Sequence, residues 1–306
     1  MSDFVLSPLG LAVLGLCVGS FLNVVIHRLP QIMWRAWWRE TAEFQLGDSL
    51  AWTPVFGPLP QPKDSFAAAA RAIQEALSGL ATLTLARPRS RCASCGHVVR
   101  WHENLPIVGW LRLRGRCSAC KAPISVRYPI VEGGTAALFA ACGVVFGAQP
   151  STLLWCTAVA LLIAMALIDL DTTLLPDSLT LPLIGLGLVG SLAGWTAVPL
   201  SESVIGLLAG YLVLWSVSAL YGLLRGVQGM AEGDFKMLAG LGALLGWKVL
   251  PSVVLLSSAV GAVVGLMLVA FKGHKREVPI PFGPYLAGGG LAALFFAETL
   301  QSFWRL

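Results

Sequence analysis

Residues 151–177 read STLLWCTAVALLIAMALIDLDTTLLPD. The first part, residues 151–168, carries no charge and has the length at which an apolar helix crosses about 30 Å of hydrocarbon. Three carboxylates, Asp169, Asp171 and Asp177, follow where this predicted span ends. Because ionisable residues at membrane depth are costly, carboxylates at the mouth of a span are candidates for function.

The whole chain is apolar and poor in charge, since 56% of its 306 residues are hydrophobic and 12% are charged. One soluble core cannot hide that much apolar surface. Further spans are predicted at 5–26, 129–147, 178–197, 202–224, 251–271 and 281–304, with a shorter apolar run at Met237–Trp247. If the short run also crosses, the basic loop with Lys272, Lys275 and Arg276 becomes cytoplasmic, as the positive-inside trend favours. The sequence therefore predicts an all-α polytopic membrane protein of about eight transmembrane helices, with loops 169–177 and 225–236 on the cytoplasmic side.

Basic residues concentrate after the first span. Between Arg28 and Arg127 lie 14 of the 21 Lys and Arg residues, with six acids, for a net charge of +8. Such a segment favours the cytoplasmic side and contact with anionic membrane lipids. No aromatic-basic surface motif of a nucleic-acid-binding protein supports contact with nucleic acid, so we expect no nucleic-acid partner. The predicted domains are a first span at 1–27, a cytoplasmic domain at 28–127 and a membrane-embedded domain of about seven spans at 128–306.

The basic segment contains three local patterns before its cysteines. Trp34, Trp37 and Trp38 alternate with arginines, which predicts a separate amphipathic helix lying on the headgroups. Residues 53–64 are proline-rich and predict an extended linker. The alanine-rich residues 65–85 predict a helix with too many polar breaks to span.

Four cysteines predict a small zinc-ribbon-like module at about 90–122, inserted between the first and second spans. They form two C-x-x-C pairs, Cys92 with Cys95 and Cys117 with Cys120. Each pair directs two thiolates at one ion, and four thiolates complete a tetrahedron with no place for water, so the expected zinc is structural. The alternative is a pair of redox-active dithiols, although no thioredoxin-like unit surrounds either pair.

The three carboxylates of 169–177 have no basic partner within their own segment, which suits acid-base chemistry. Asp177 has a structural alternative as a helix N-cap after Pro176, and Asp171 as a water-facing loop residue. Asp169 is the hardest of the three to explain structurally. A further acid, Asp234, follows Gly233 at the start of the short apolar run Met237–Trp247. For Asp234 too, helix capping is the structural alternative to a role in chemistry.

Two carboxylates from different helices can share one proton, so that one activates water while the other polarises a peptide carbonyl. This aspartic-protease chemistry needs no metal. The sequence contains neither a G-x-S-x-G nor an H-E-x-x-H string to support a serine or zinc peptidase. We therefore expect Asp169 and Asp234 to be the catalytic pair.

The ordered motifs resemble those of the type IV prepilin peptidases, a family of GxGD-type membrane aspartic proteases. The resemblance covers nearly the whole chain. Its motifs are Gly19–Pro30, the four cysteines, Glu103–Pro106 with Gly109–Trp110, Arg127–Glu132, the Asp169 segment, Gly233–Lys236 and Pro281–Pro284. One position departs, because Ala231 stands where the first glycine of GxGD is expected.

The resemblance implies a bacterial inner-membrane enzyme with a cytoplasm-facing site that removes the leader of type IV prepilins and type II secretion pseudopilins. The family's catalytic aspartates fall on Asp169 and Asp234. The resemblance further implies N-methylation of the new N-terminus with S-adenosylmethionine, for which no residues are assigned. Two other functions stay open, a non-enzymatic zinc-ribbon membrane adaptor of a secretion or pilus assembly, and a proton-coupled transporter.

Overall fold

The computed structural model describes residues 5–46, 63–226, 229–272 and 280–302, and helices make up most of them. The helices are α1 (Pro8–Leu46), α2 (Lys63–Ser78), α3 (Val108–Arg112), α4 (Arg127–Phe146), α5 (Thr152–Thr172), α6 (Asp177–Leu192), α7 (Leu200–Arg225), α8 (Glu232–Leu245), α9 (Leu250–Lys272) and α10 (Gly283–Ser302). A 3-10 turn at Trp247–Val249 precedes α9. Within these ranges there is no β-strand beyond two isolated antiparallel bridges, Arg91 with Val98 and Arg116 with Pro123. The all-α prediction is confirmed for the described part of the chain.

Five of the described helices are long and apolar enough to cross a membrane. These candidate spans are Pro8–Phe44, Arg127–Phe146, Thr152–Thr172, Leu200–Arg225 and Trp247–Phe271, and shorter apolar helices lie at Asp177–Leu192 and Gly283–Ala297. A multi-pass membrane protein is thus supported, and the count of eight spans stays a prediction. Most of the predicted linker at 53–64, with Lys275 and Arg276 of the basic loop, lies outside the described residues.

The chain divides into two compact units, residues 27–99 and residues 1–26 with 100–306. In the first of these, Arg28 donates hydrogen bonds to the carbonyl oxygens of Thr84 and Leu85 at 3.1 and 3.2 Å. Arg35 donates to the carbonyl oxygen of Ala81 at 2.8 Å. These contacts hold the chain near residues 81–85 along the second half of α1.

Helix α1 differs from the sequence prediction because it is continuous. The sequence suggested a span ending near residue 26 and a separate helix around the tryptophans, whereas α1 passes through Pro30 and continues to Leu46. Proline removes one backbone hydrogen bond from a helix interior, which costs about 3 kcal/mol. The arginine contacts described above lie along the continued helix, on either side of Pro30.

In the other unit, α8 is the central helix. It packs against α6, α7 and α10, and its residues from Met237 to Leu244 are all buried. Gly206 of α7 and Gly242 of α8 meet backbone to backbone, with no room for a Cβ at either position. Ser203 of α7 donates a hydrogen bond to the carbonyl oxygen of Ala243 at 2.6 Å. The short apolar run of the sequence is therefore shielded mainly by protein.

Helices α1 and α4 pack closely through small residues. A Cβ placed on Gly15 would lie 2.7 Å from the Cα of Ala136, and one on Gly19 would lie 2.8 Å from the Cα of Glu132. Glu132 is only 7% exposed, and its Oε2 accepts the backbone N–H of Ile107 at 2.7 Å. Ile107 has a φ of 58°, an unfavourable value for a β-branched residue. Glu132 thus anchors a strained turn just before α3.

Candidate active site

Asp169 lies in the last turn of α5 and is only 5% exposed. Its Oδ2 accepts the backbone N–H of Gly283, the first residue of α10, at 2.8 Å. Helices α5 and α10 pack against each other, which brings this N–H to the carboxylate. A Cβ on Gly283 would lie 2.7 Å from Oδ2, so the approach requires glycine.

Asp234 lies in the first turn of α8 and is only 7% exposed. The carboxyl group of Asp234 accepts a backbone hydrogen bond from Ala231, the N-cap residue of α8, so the capping role that the sequence left open for Asp234 is part of what the structure shows. Its Oδ1 is buried and has no hydrogen-bond partner among the residues that the structure describes. A buried carboxylate oxygen left unpaired is expensive, which makes Asp234 a functional candidate on structural grounds.

Asp169 and Asp234 lie close enough for their charges to interact. Two contacts hold their segments together. Gly233 packs against Leu175 so closely that a Cβ on Gly233 would overlap the Leu175 side chain. Lys236 donates to Asp177 at 2.8 Å. The two aspartate segments, far apart in sequence, therefore meet in one buried site.

The other two acids of the first segment are each paired with a cation from another part of the chain. Asp177 is the first residue of α6, whose N-cap is Pro176, and it pairs with Lys236 in place of capping the helix. Asp171 lies in the last turn of α5, where a loop was expected, and pairs with Arg127 at 2.8 Å. Neither cation belongs to the segment itself, so a local reading of the sequence missed both pairs.

The departure at Ala231 is compatible with the loop geometry. Ala231 is the N-cap of α8 with φ −81° and ψ 151°, an extended conformation open to any residue. Gly233 is the glycine that the packing requires, because of its contact with Leu175. Gly283 was not singled out from the sequence either, although it lies within one of the quoted motifs, Pro281–Pro284.

The two cysteine pairs have the same local structure. Around the first pair, the N–H of Gly96 donates to the carbonyl oxygen of Cys92 at 2.9 Å. The N–H of Cys92 donates to the carbonyl oxygen of His97 at 2.9 Å. Gly96 has a φ of 72°. Such a turn points both thiols of a C-x-x-C pair the same way.

The second pair repeats this pattern residue by residue. The N–H of Lys121 donates to the carbonyl oxygen of Cys117 at 3.1 Å, and the N–H of Cys117 donates to the carbonyl oxygen of Ala122 at 2.8 Å. Lys121 has a φ of 60°. The four sulfur atoms of Cys92, Cys95, Cys117 and Cys120 lie within 4.8 Å of one another. Tetrahedral thiolates at 2.3 Å from zinc are about 3.8 Å apart, so the cluster can hold a metal ion and its donor set suits zinc.

Comparison with known proteins assigns the chain to a family. Residues 13–146 match the Bacterial Peptidase A24 N-terminal domain, and residues 156–266 match the Type IV leader peptidase family. The chain belongs to the type IV leader peptidase family. The resemblance seen in the sequence is thereby confirmed, and this peptidase contains both matched regions in one chain.

Curated relatives of this leader peptidase align over most of their length. A protein from Burkholderia pseudomallei is 46% identical over 285 residues, which cover 93% of this chain and 84% of the relative. One from Aeromonas salmonicida is 45% identical over 294 residues, 94% of this chain and 90% of the relative. One from Pseudomonas aeruginosa is 44% identical over 289 residues, which cover 94% of this chain and 89% of the relative. All three are named prepilin leader peptidase/N-methyltransferase. No solved structure matches the chain.

Family membership establishes that this chain is an enzyme, as the sequence predicted, and a peptidase. Together with its several apolar helices, the family indicates a multi-pass protein of the inner membrane. The comparisons identify the family, while the buried acids and the cysteine cluster are properties of this chain's own structure.

Proposed function

We propose that this leader peptidase removes the leader of type IV prepilins and type II secretion pseudopilins at the cytoplasmic face of the inner membrane. Asp169 and Asp234 are the proposed catalytic pair. The observation that carries the proposal is the meeting of these two buried carboxylates, one at the end of α5 and the other at the start of α8. The names of the relatives support the substrate class.

The proposed chemistry follows from the burial of the pair. Two acids whose charges interact at a buried site hold one proton between them more readily than none. The ionised member then takes a proton from water as the water attacks the scissile carbonyl, and the protonated member donates to the carbonyl oxygen. Asp171 and Asp177 are each paired with a cation and more exposed, so they are the weaker candidates.

We further propose that the chain N-methylates the new N-terminus with S-adenosylmethionine as the donor. The support is the shared name of the relatives, which includes N-methyltransferase. We assign no residues to the methyl donor.

We also propose that a structural zinc is held by Cys92, Cys95, Cys117 and Cys120. This zinc supplies folding energy to the module at about residues 90–122 and takes no part in peptide cleavage.

The proposed topology has eight transmembrane helices and the active site facing the cytoplasm. Three helices, α6, α8 and α10, would join the five longer candidate spans. The proposed domains are the first span at 1–27, the cytoplasmic domain at 28–127 and the peptidase domain at 128–306. The net charge of +8 between Arg28 and Arg127 favours this orientation, and lipid headgroups are its proposed contact.

The proposal is tested by cleavage of a purified prepilin in detergent by Asp169→Asn and Asp234→Asn. Each variant is expected to lose activity by about three orders of magnitude or more, the scale seen when a catalytic residue is removed. Asp171→Asn is the matched control, since Asp171 lies one helical half-turn away from Asp169 and should lose only a few-fold. Normal cleavage by a folded Asp169→Asn or Asp234→Asn would remove that residue from the catalytic pair.

The adaptor and transporter alternatives make different predictions in the same preparation. A non-enzymatic adaptor cleaves nothing, and a transporter moves protons without cleaving. Membership of a peptidase family favours the enzyme over both.

A further inference from the structure

The two proposed catalytic carboxylates have different surroundings. Oδ2 of Asp169 accepts the Gly283 N–H at 2.8 Å. The carboxyl group of Asp234 accepts a backbone hydrogen bond from Ala231, whereas its Oδ1 is buried with no partner among the described residues. Each carboxyl group thus accepts one backbone hydrogen bond, and the difference that separates the base and acid roles is the buried, unpaired Oδ1 of Asp234.

We propose, on the basis of the two-aspartate mechanism above, that Asp169 is the general base, that Asp234 is the general acid, and that Gly283 is the positioning residue that fixes this division. A buried carboxylate oxygen without a hydrogen-bond partner is costly to keep charged, so the unpaired Oδ1 of Asp234 is the favoured site for the shared proton. The N–H that Asp169 accepts comes from the first residue of α10, where the helix dipole favours a neighbouring negative charge. The shared proton therefore resides on Asp234.

Asp234 also lies near a helix N-terminus, that of α8, yet the same argument does not apply to its free oxygen. The Ala231 backbone bonds to the carboxyl group of Asp234, but Oδ1 itself has no hydrogen-bond partner in the described part of the chain. When protonated, Oδ1 is a buried O–H that can donate a hydrogen bond to an acceptor. The carbonyl oxygen of a bound peptide has the required chemistry.

The steps balance with one proton shared by the pair. The Asp169 carboxylate removes a proton from water as the water oxygen bonds to the scissile carbon, and Asp234 gives its proton to the carbonyl oxygen. In the second half, protonated Asp169 gives a proton to the leaving nitrogen as the C–N bond breaks. Asp234 recovers its proton from a hydroxyl of the intermediate, and the pair returns to its starting state.

Gly283 is required because of the space around it. A Cβ at this position would lie 2.7 Å from Oδ2, 3.0 Å from Cγ and 3.1 Å from Cβ of Asp169. Gly283→Ala must therefore displace the Asp169 carboxylate, the group that holds the attacking water. Gly288, on the same helix, has no atom within 4 Å of an added Cβ, which makes Gly288→Ala the matched control.

The first test compares these variants of the full chain in detergent, with a purified prepilin as substrate. Gly283→Ala is expected to lower kcat by about ten-fold or more with KM changed less than about two-fold, as misplacement of a reacting group does. The acidic limb of its pH profile, which reports the base, moves while the alkaline limb stays. Gly288→Ala behaves as the wild type. Wild-type kcat in Gly283→Ala, or movement of the alkaline limb alone, would overturn the assignment.

The second test does not depend on the folding of Gly283→Ala. An amide at position 234 still donates N–H to the substrate carbonyl, whereas an amide at position 169 cannot take a proton from water. Residual cleavage by Asp234→Asn is therefore expected to exceed that of Asp169→Asn by about ten-fold or more. Equal residual rates, or the reverse order, contradict the assignment while leaving the two-aspartate mechanism intact. Undiminished cleavage by either Asn variant contradicts that mechanism itself.

Discussion

Gly233 and Leu175 are in direct contact, and this contact brings the segment after Asp169 against the turn that carries Asp234. Neither residue is ionisable. The close approach is possible because Gly233 has no side chain, since a Cβ there would overlap the Cβ of Leu175. The spacing of the two carboxylates thus depends on an uncharged contact beside them.

Gly233→Ala is expected to lower prepilin cleavage on the order of ten-fold, because overpacking of about 1–3 kcal/mol forces the two segments apart. Leu175→Gly in the same chain removes the overlapping atom and should restore part of the lost activity. Gly185→Ala is the control, since nothing lies within 4 Å of an added Cβ at that position of α6. If Gly233→Ala matches Gly185→Ala in cleavage rate, the contact does not set the spacing of the pair.

The ion pair between Asp177 and Lys236 joins the same two segments and is expected to contribute far less. The side chains are 56% and 23% exposed, and exposed pairs typically contribute about 0.2–1 kcal/mol. Asp177→Asn and Lys236→Met should each retain cleavage within a few-fold of the wild type. A double-mutant cycle on thermal unfolding in detergent measures the coupling, and a value of several kcal/mol would show that the pair is a principal link.

Glu132 is expected to matter for stability through the turn at Ile107. Glu132→Ala leaves the buried N–H of Ile107 without its acceptor, which costs about 1–3 kcal/mol. Glu132→Gln keeps an acceptor oxygen and should lie between the wild type and the alanine variant. The measurement is the thermal unfolding midpoint in detergent. Identical midpoints for all three proteins would mean that water or lipid replaces the hydrogen bond.

The cysteine cluster is expected to hold about one zinc per chain, as a site of four thiolates does. Cys92→Ser and Cys117→Ser should lose that zinc and unfold at lower temperature. Cleavage per folded molecule should persist, because the metal is structural. Cys17→Ser is the control, since Cys17 is outside the cluster and exposed. The measurement is metal analysis of protein purified without chelators, and absence of zinc from the wild type would contradict the prediction.

The sequence was sufficient to locate the two buried acids and the two cysteine pairs, because each is marked by a short local pattern. An acid at the end of an apolar run and a repeated C-x-x-C are visible within a few residues. The partners of Asp171 and Asp177 are not, since Arg127 and Lys236 lie 44 and 59 residues away. Both acids were therefore interpreted from their neighbours in sequence, and both interpretations changed.

The course of α1 was mispredicted for a related reason. Pro30 disfavours a continuous helix in the local sequence, and the contacts that Arg28 and Arg35 of the continued helix make are with residues 81–85, far along the chain. Gly283 is a similar case, because its significance depends on the Oδ2 of Asp169, which is 114 residues away. Local patterns thus identified the reacting groups, and long-range contacts decide how those groups are held.

The central position of α8 has a consequence for how the protein is made. A helix of 14 residues is too short and too enclosed to partition into a bilayer by its own hydrophobicity. Its surroundings, α6, α7 and α10, come from both earlier and later parts of the chain. Asp169 therefore gains its hydrogen bond from Gly283 only after translation has supplied α10, and a nascent chain that stops before Gly283 is expected to be inactive and a target for membrane quality control.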